Sequence, residues 1–275
     1  MLNFGFSTFF FVNTHILDAV DDIVASGIRT IEVCCEMPHI LDMDDDFISR
    51  MHSIRDTGIE FSFHAPFNEI NLGSTFGYNR GYAVERMKSA LHMAHRIGCD
   101  PFVVHPGHAM STGKAKDKDI DNTTRENFLE DLREITGFAK ERGIRVALEN
   151  VYVPYYFFRE LEEFKEIHKA VPDLGITLDI GHAYITKRSK GEKDPEGAII
   201  REIKQAGIEQ LYHVHLHNNR GVKDDHLFLE GDIDLKRILQ GLDRLSYAGK
   251  VVVESYDMEK QGADIVLKKL KEISP

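Results

Sequence analysis

The stretch GIRVALEN, residues 143–150, holds the features that decide the fold of this chain. It opens with Gly143, continues as the short apolar run Val146–Glu149 and ends that run in an ionisable side chain. The preceding segment Arg125–Arg142 carries apolar residues at spacings of three and four, which is typical of an amphipathic helix. A helix that ends at glycine just before a short strand predicts one unit of alternating helix and strand.

The same unit repeats from one end of the chain to the other. Eight short β-branched or aromatic runs are predicted as strands: Phe4–Ser7, Thr30–Val33, Glu60–Phe63, Phe102–Val104, Val146–Glu149, Ile176–Asp179, Tyr212–Leu216 and Val251–Glu254. The clearest predicted helices between them are Ile16–Ser26, Asn79–Ile97, Arg125–Arg142 and Asp234–Leu245. Glycines that end a helical segment before the next strand are Gly27, Gly58, Gly98, Gly143 and Gly207.

Eight successive units predict parallel strands joined by crossover helices. A doubly wound open sheet usually carries a Gly-rich phosphate turn after its first strand, and GFSTFFF, residues 5–11, has none. No linker or shift in composition divides the chain, so residues 1–275 are predicted to form a single-domain (β/α)₈ TIM barrel, an α/β fold. Three segments without periodicity follow strands and are predicted as loops over the active-site face: His105–Asn122, Ala183–Asp194 and Asn218–Asp232.

Composition narrows the class of protein. No apolar run is long enough to span a bilayer, and the first fifteen residues lack the basic region and the cleavage site of a signal peptide. Only three cysteines are present, so a disulfide framework is not expected. We therefore predict a cytoplasmic protein without a membrane partner. The net charge of −11 argues weakly against binding to polyanions in general.

Ionisable side chains recur where the predicted strands end or in the loops that follow them. An ionisable group on a buried parallel strand is costly unless it is paired or bound to a metal. The carboxyl ends of barrel strands meet at one rim, so these side chains are expected to form a single cluster. Nine of them are candidate metal ligands: His64, His105, Glu149, Asp179, His182, His215, Asp224, His226 and Glu254.

The composition of this cluster indicates the metal. Imidazole together with carboxylate suits Zn²⁺, Mn²⁺ or Fe²⁺, whereas Ca²⁺ and Mg²⁺ prefer oxygen ligands throughout. Nine candidates exceed what one ion can use, so two or three ions are predicted, with carboxylates such as Glu149 bridging them. Closely spaced ions activate a water molecule and hold the attacking and leaving oxygens of a phosphoryl transfer.

Motifs along the whole chain resemble those of the xylose-isomerase-like barrels, which include endonuclease IV and sugar-phosphate isomerases and epimerases. The matching segments are HAPFNEINLGS, HPGH, ALEN, LDIGHA, HVHLHNNRG, DDHLFLEGDID and VVVES. For endonuclease IV-like members the resemblance implies three zinc ions at the nine positions and cleavage of a phosphodiester. For epimerase-like members it implies a single Mn²⁺ or similar ion at Glu149, Asp179, His215 and Glu254. The two glutamates would there shuttle a proton on and off a sugar carbon beside a carbonyl.

The remaining five candidates distinguish these mechanisms: His64, His105, His182, Asp224 and His226. A one-metal isomerase has no chemical need for all five, so the prediction favours a metal-dependent phosphoester hydrolase with a trinuclear zinc site. A sugar or sugar-phosphate isomerase or epimerase, with Glu149 and Glu254 as the catalytic pair, is the alternative. A non-catalytic barrel that binds a sugar or a metal is the third hypothesis.

Further side chains are predicted to contact a small anionic or sugar-like substrate. They are Phe67, His108, His217 and Arg220, of which His217 would lie one layer above His215 and nearer the substrate. The basic residues of the predicted loops are interpreted as solvated charges, and the alternative is that they attract an anionic substrate. They are Lys114, Lys116, Lys118, Lys187, Arg188, Lys190, Lys193, Arg220 and Lys223. The loop after the second strand, CCEMPHILDMDDD, is acidic and would repel a phosphate backbone, so duplex DNA is the least favoured partner.

Overall fold

Eight parallel strands form a closed barrel in this protein, seen in a computed structural model that describes residues 2–109 and 118–275. Each strand pairs with its neighbour in sequence, and the last pairs with the first, so that Phe4 lies opposite Val251. The strands are β1 (Asn3–Ser7), β2 (Thr30–Cys34), β3 (Glu60–His64), β4 (Phe102–Val104), β5 (Val146–Glu149), β6 (Leu174–Asp179), β7 (Leu211–Leu216) and β8 (Lys250–Val253). The predicted TIM barrel is confirmed, and every predicted strand is present within two residues of its predicted ends.

Ten α-helices are present in the described residues. They are α1 (Ile16–Ser26), α2 (Asp45–Arg55), α3 (Gly77–Ile97), α4 (Lys118–Lys140), α5 (Phe164–Ala170), α6 (Ile180–Ser189), α7 (Pro195–Ala206), α8 (Leu235–Arg244), α9 (Asp257–Gln261) and α10 (Ala263–Ile273). Gly27 and Gly98 adopt φ values of 90° and 86° as C-caps of α1 and α3, as predicted from their positions. Among the described residues, no helix has both the length and the apolar composition that crossing a bilayer demands.

Two predicted loops are wrong in part because they contain helix. Helix α6 follows β6 directly and occupies much of the predicted loop Ala183–Asp194. Residues 180–187 are all buried, so the segment has no polar face and shows no helical periodicity in sequence. Helix α4 begins at Lys118, inside the predicted loop His105–Asn122. Lys114 and Lys116 of that loop lie outside the described residues.

The core has an apolar layer outside the barrel and a polar layer within it. Phe63 and Phe102 face each other on adjacent strands, with ring centroids 5.7 Å apart and nearly parallel planes. Inside the barrel, the completely buried side chain of Glu32 contacts those of Ser62 and His213, which are also completely buried. A buried carboxylate is tolerated only when hydrogen bonds or charges compensate it, and the interior supplies both.

Candidate metal centre

The candidate ligands meet at the carboxyl ends of the strands, as expected for a barrel of this kind. His64, Glu149 and Asp179 are the last residues of β3, β5 and β6, His215 lies on β7, and Glu254 directly follows β8. All five are buried. The chain therefore brings together at one rim side chains that are up to 190 positions apart (64 to 254).

Glu149 lies at the centre of one part of this cluster. Its Oε2 atom is 3.2 Å from Nε2 of His64, 3.3 Å from Nε2 of His105 and 3.4 Å from Nδ1 of His215. Its Oε1 atom is 3.5 Å from Nδ1 of His182. Burial would raise the pKa of Glu149, but the charges of His105 and His215 and the hydrogen bonds of nearby histidines hold it well below its usual value. The carboxylate is therefore ionised and available as a ligand.

A second part of the cluster is centred on Asp224, in the segment after β7. Its Oδ2 atom is 3.0 Å from Nε2 of His182 and 3.0 Å from Nε2 of His226. The completely buried His217 stacks on His226, with ring centroids 4.0 Å apart, and its Nε2 atom is 3.1 Å from Oδ1 of Asp179. The ligand atoms of His182, His217, Asp224 and His226 all lie within 4.8 Å of one another, so this group has the chemistry and the spacing to hold a cation.

His215 provides a direct test of whether the site fits a metal. Its Nδ1 atom is buried without a hydrogen-bond partner among the described residues. That atom lies 3.4 Å from Oε2 of Glu149 and 3.5 Å from Oε2 of Glu254. A buried nitrogen that faces two carboxylates without a well-formed hydrogen bond suits a cation between them. Asp179, His215 and Glu254 also form a group whose ligand atoms lie within 4.8 Å.

Glu254 has an environment unlike that of Glu149. Burial has the largest effect on the pKa of Glu254 and raises it. The charge of His215 lowers this pKa, whereas the charges of Glu32 and Glu149 raise it. The net effect is a pKa of about 8 for Glu254. A divalent cation bound beside the carboxyl group would favour its ionised form.

A cavity of about 300 Å³ opens over the cluster. Its floor includes His64, Glu149 and Glu254, and its walls are rich in aromatic side chains. The aromatic lining residues are Phe9, Phe10, Phe67, Tyr152, Tyr155 and Tyr156. No lysine or arginine is found among the described residues that line it. A cavity with polar groups at its base and rings around it has the character of a small-molecule site.

Of the four predicted substrate contacts, Phe67 lines the cavity. Its ring stacks on that of His105 at a centroid distance of 4.6 Å. His108, His217 and Arg220 are not among the described lining residues. His217 is buried against Asp179, and the exposed Arg220 pairs with Glu230 at 3.3 Å. A role for these three in substrate binding stays a prediction.

His108 lies beside the cavity. Its backbone N–H donates to Oδ1 of Asn71 at 2.9 Å, and its ring contacts Tyr155 and Tyr156. The ring therefore packs behind two of the aromatic residues that form the cavity wall.

None of the basic residues after β6 is among the described residues that line the cavity. Lys187 is buried, and its Nζ atom donates to Oε1 of Glu160 at 2.5 Å and also contacts Glu202. Lys190 pairs with the other oxygen of Glu160. These lysines hold α6 and α7 against the segment after β5, because α6 extends through the region that was predicted to be an open loop.

Sequence reasoning missed Glu32, which contacts both His213 and His215 at the base of the site. The available signal was a glutamate in the middle of the otherwise uncharged run TIEVC. A carboxylate within a buried strand indicates a buried polar contact. Glu32 lies in the middle of its strand, whereas the candidate ligands lie at strand ends or in the loops that follow.

Comparisons with known proteins identify relatives along nearly the whole chain. A family model described as a xylose isomerase-like TIM barrel matches residues 20–273, which confirms the resemblance predicted from the motifs. The uncharacterized protein MJ1311 of Methanocaldococcus jannaschii is 30% identical over 263 residues, covering 92% of this chain and 84% of that protein.

Solved structures share the barrel. A D-tagatose 3-epimerase-like protein has a TM-score of 0.83 at 27% identity, with 99% of this chain and 97% of that chain covered. An IOLI protein with a bound zinc atom has a TM-score of 0.78 at 18% identity, with 99% and 96% covered. At the lower identity the likeness concerns the fold alone.

Proposed function

Because the chain belongs to the xylose isomerase-like TIM barrel family, we propose that it is a metal-dependent sugar epimerase or isomerase. The observation that carries this proposal is the unpartnered Nδ1 atom of His215, buried between the carboxylates of Glu149 and Glu254. One cation would be held there by Glu149, Asp179, His215 and Glu254. The mixed nitrogen and oxygen ligands suit Zn²⁺, Mn²⁺ or a similar ion.

The bound ion would supply a positive charge that stabilises the negative charge developing on a substrate carbonyl oxygen. Glu149 and Glu254 would move the proton. They stand on β5 and after β8, three strands apart around the barrel, and both line the cavity. A carboxylate oxygen of one glutamate would accept the proton from the carbon beside the carbonyl. The carboxyl group of the other would return a proton, to the opposite face of that carbon in an epimerisation.

The cavity lining supports a neutral sugar as the substrate. A phosphorylated sugar would need cationic partners, and none of the described lining residues is a lysine or arginine. The rings of Phe67, Tyr152 and Tyr155 offer faces on which a sugar can pack. The named activity of the D-tagatose 3-epimerase-like relative agrees with a ketose of this kind.

The phosphoester hydrolase favoured by the motif pattern becomes the second candidate. One observation favours it: the additional group His182, His217, Asp224 and His226 beside the proposed ion. If this group held further ions, the site would have the two- or three-metal composition of a hydrolase.

Two measurements separate these functions. Elemental analysis of protein purified without chelator is expected to give one divalent ion per chain. Incubation with a panel of free ketoses in D₂O is expected to yield epimers or isomers carrying deuterium at the exchanged carbon, detected by NMR and chromatography.

Matched variants make the result specific to the site. Glu149→Gln and Glu254→Gln are each expected to reduce turnover by about 100-fold or more, since each removes a proton-transfer group. Glu60→Gln alters an exposed carboxylate at the other end of the barrel and is expected to leave turnover unchanged. Two or three ions per chain with phosphoester cleavage would establish the hydrolase instead, and absence of exchange with every ketose would contradict the epimerase.

A further inference from the structure

The geometry points to Glu32 as a positioning residue that, together with His213, orients His215 for metal binding. This inference rests on the proposed metal site, because it concerns how one of the ligands is held. It adds a role for a carboxylate one layer deeper in the barrel, which does not line the cavity among the described residues.

Glu32 is placed for this role by the alternation of side chains along β2. Residues at every second position of a strand share one face, so Thr30, Glu32 and Cys34 share the face toward the barrel interior. Glu32 and His213 are both completely buried, and they meet across the interior from β2 and β7. Burying a carboxylate at this depth is costly, and a partner is therefore required.

The Oε2 atom of Glu32 makes its hydrogen bonds. Nε2 of His215 donates to Oε2 at 3.3 Å and lies 3.1 Å from Oε1, which has no hydrogen-bond partner among the described residues. The Oε2 atom lies 2.8 Å from Nε2 of His213 and accepts a hydrogen bond from Oγ of Ser62 at 3.2 Å. His213, Ser62 and His215 therefore all contact Oε2, and these contacts hold the carboxylate against Nε2 of His215.

This contact determines which nitrogen of His215 can bind a metal. A neutral imidazole carries one N–H group, and the nitrogen without it is the metal ligand. When Nε2 donates its hydrogen to Glu32, the lone pair of Nδ1 faces Glu149 and Glu254, 3.4 Å and 3.5 Å away. A carboxylate behind a metal-binding histidine also increases the basicity of the ligating nitrogen.

The test is the metal affinity of Glu32→Gln, measured by competition with a chelator for Zn²⁺ or Mn²⁺. The amide has the size of the carboxylate but lacks its charge, and the dissociation constant is expected to rise about 10–100-fold. Asp131→Asn is the matched control, because Asp131 is also a buried carboxylate, paired with Arg80 at 2.7 Å, and none of its described contacts is with a candidate ligand. It is expected to lower stability while leaving the metal dissociation constant unchanged.

A spectroscopic signature covers the case in which Glu32→Gln does not fold. NMR of the zinc-loaded wild-type protein with ¹⁵N-labelled histidine is expected to show His215 protonated at Nε2. Ser62→Ala removes only one hydrogen bond to Glu32 and is expected to weaken zinc binding by a few-fold. A His215 protonated at Nδ1, or unchanged affinity in both Glu32→Gln and Ser62→Ala, would overturn the inference. Failure of the wild-type protein to bind any divalent ion would instead refute the proposed function.

Discussion

Phe67 is held in the cavity wall from two sides. The backbone N–H groups of Phe67 and Asn68 donate to Oε1 of the buried Glu36 at 2.6 Å and 2.7 Å. The ring of Phe67 stacks on His105. A side chain fixed in this way can offer a flat apolar surface to a substrate without losing further conformational entropy when the substrate binds.

Phe67→Ala is expected to lower kcat/KM for the sugar substrate about tenfold, mainly through a higher KM. Loss of one aromatic packing surface corresponds to about 1.4 kcal/mol. Steady-state kinetics would measure the effect, with Phe76→Ala as the control because that ring is exposed at the start of α3. Equal kinetic effects of the two substitutions would show that Phe67 does not contact the substrate.

At the scale of elements, the segment after β5 is joined to α6 and α7 by buried charges. Lys187 of α6 contacts Glu160 and Glu202, and Lys190 contacts Glu160 as well. Burial would raise the pKa of Glu160, but the hydrogen bonds from Lys187 and Lys190 outweigh it, so the pKa of Glu160 is lowered. Two hydrogen bonds between Asn150, directly after β5, and the backbone of Asp179, at the end of β6, join the ends of these strands.

Glu160→Gln is expected to destabilise the protein at pH 7 by about 3 kcal/mol, since removing one partner leaves buried lysine charge poorly compensated. A carboxyl group with a lowered pKa contributes stability above its unfolded pKa of about 4.3, and this contribution is lost as the pH falls through the folded pKa. The variant should therefore lose less stability than the wild type on acidification below pH 4.

Urea unfolding at several pH values would measure this difference. Glu166→Gln is the control, because Glu166 is an exposed residue that pairs with Arg125 on the surface. Parallel loss of stability with acid in wild type and Glu160→Gln would contradict the assigned role of Glu160.

At the scale of the whole molecule, the proposed ion would join strands β5, β6, β7 and the end of β8. A ligand that binds only the folded state stabilises it by about 2.7 kcal/mol when present at 100 times its dissociation constant. For a chain of this size, Zn²⁺ or Mn²⁺ is expected to raise Tm by about 5–10 °C over protein treated with EDTA. Thermal unfolding followed by circular dichroism measures the shift, and Asp179→Asn should reduce it. An identical Tm with metal and with EDTA would argue against a resident ion.

The fold could be predicted from sequence because its signals are local. The run Val146–Glu149 and the glycine before it are visible within eight residues, and the same is true of the other strands. The gathering of Glu149, Asp179 and His215 followed from the geometry of any such barrel.

Other features depend on contacts across the barrel and could not be read from short segments. Glu32 meets His213 because β2 and β7 face each other through the interior, and the sequence spacing between them carries no sign of that. The contact between His217 and Asp179 likewise joins the ends of two strands and has no sign in the sequence spacing. Lys187 belongs to a fully buried helical turn, where no alternation of polar and apolar residues distinguishes helix from loop.

The direct passage from β6 into α6 has a consequence for redesign of this protein by loop grafting. Asp179 ends the strand, accepts a hydrogen bond from the backbone N–H of His182 at 2.6 Å and contacts His217, so it serves the helix and the site together. Residues inserted at this junction would move Asp179 away from His182 and disrupt the site. At the tip of the segment 151–160 after β5, the exposed Tyr155 lines the cavity and is not one of the candidate metal ligands. Exchanges intended to change the accepted sugar therefore belong after β5, and the β6–α6 junction should be kept intact.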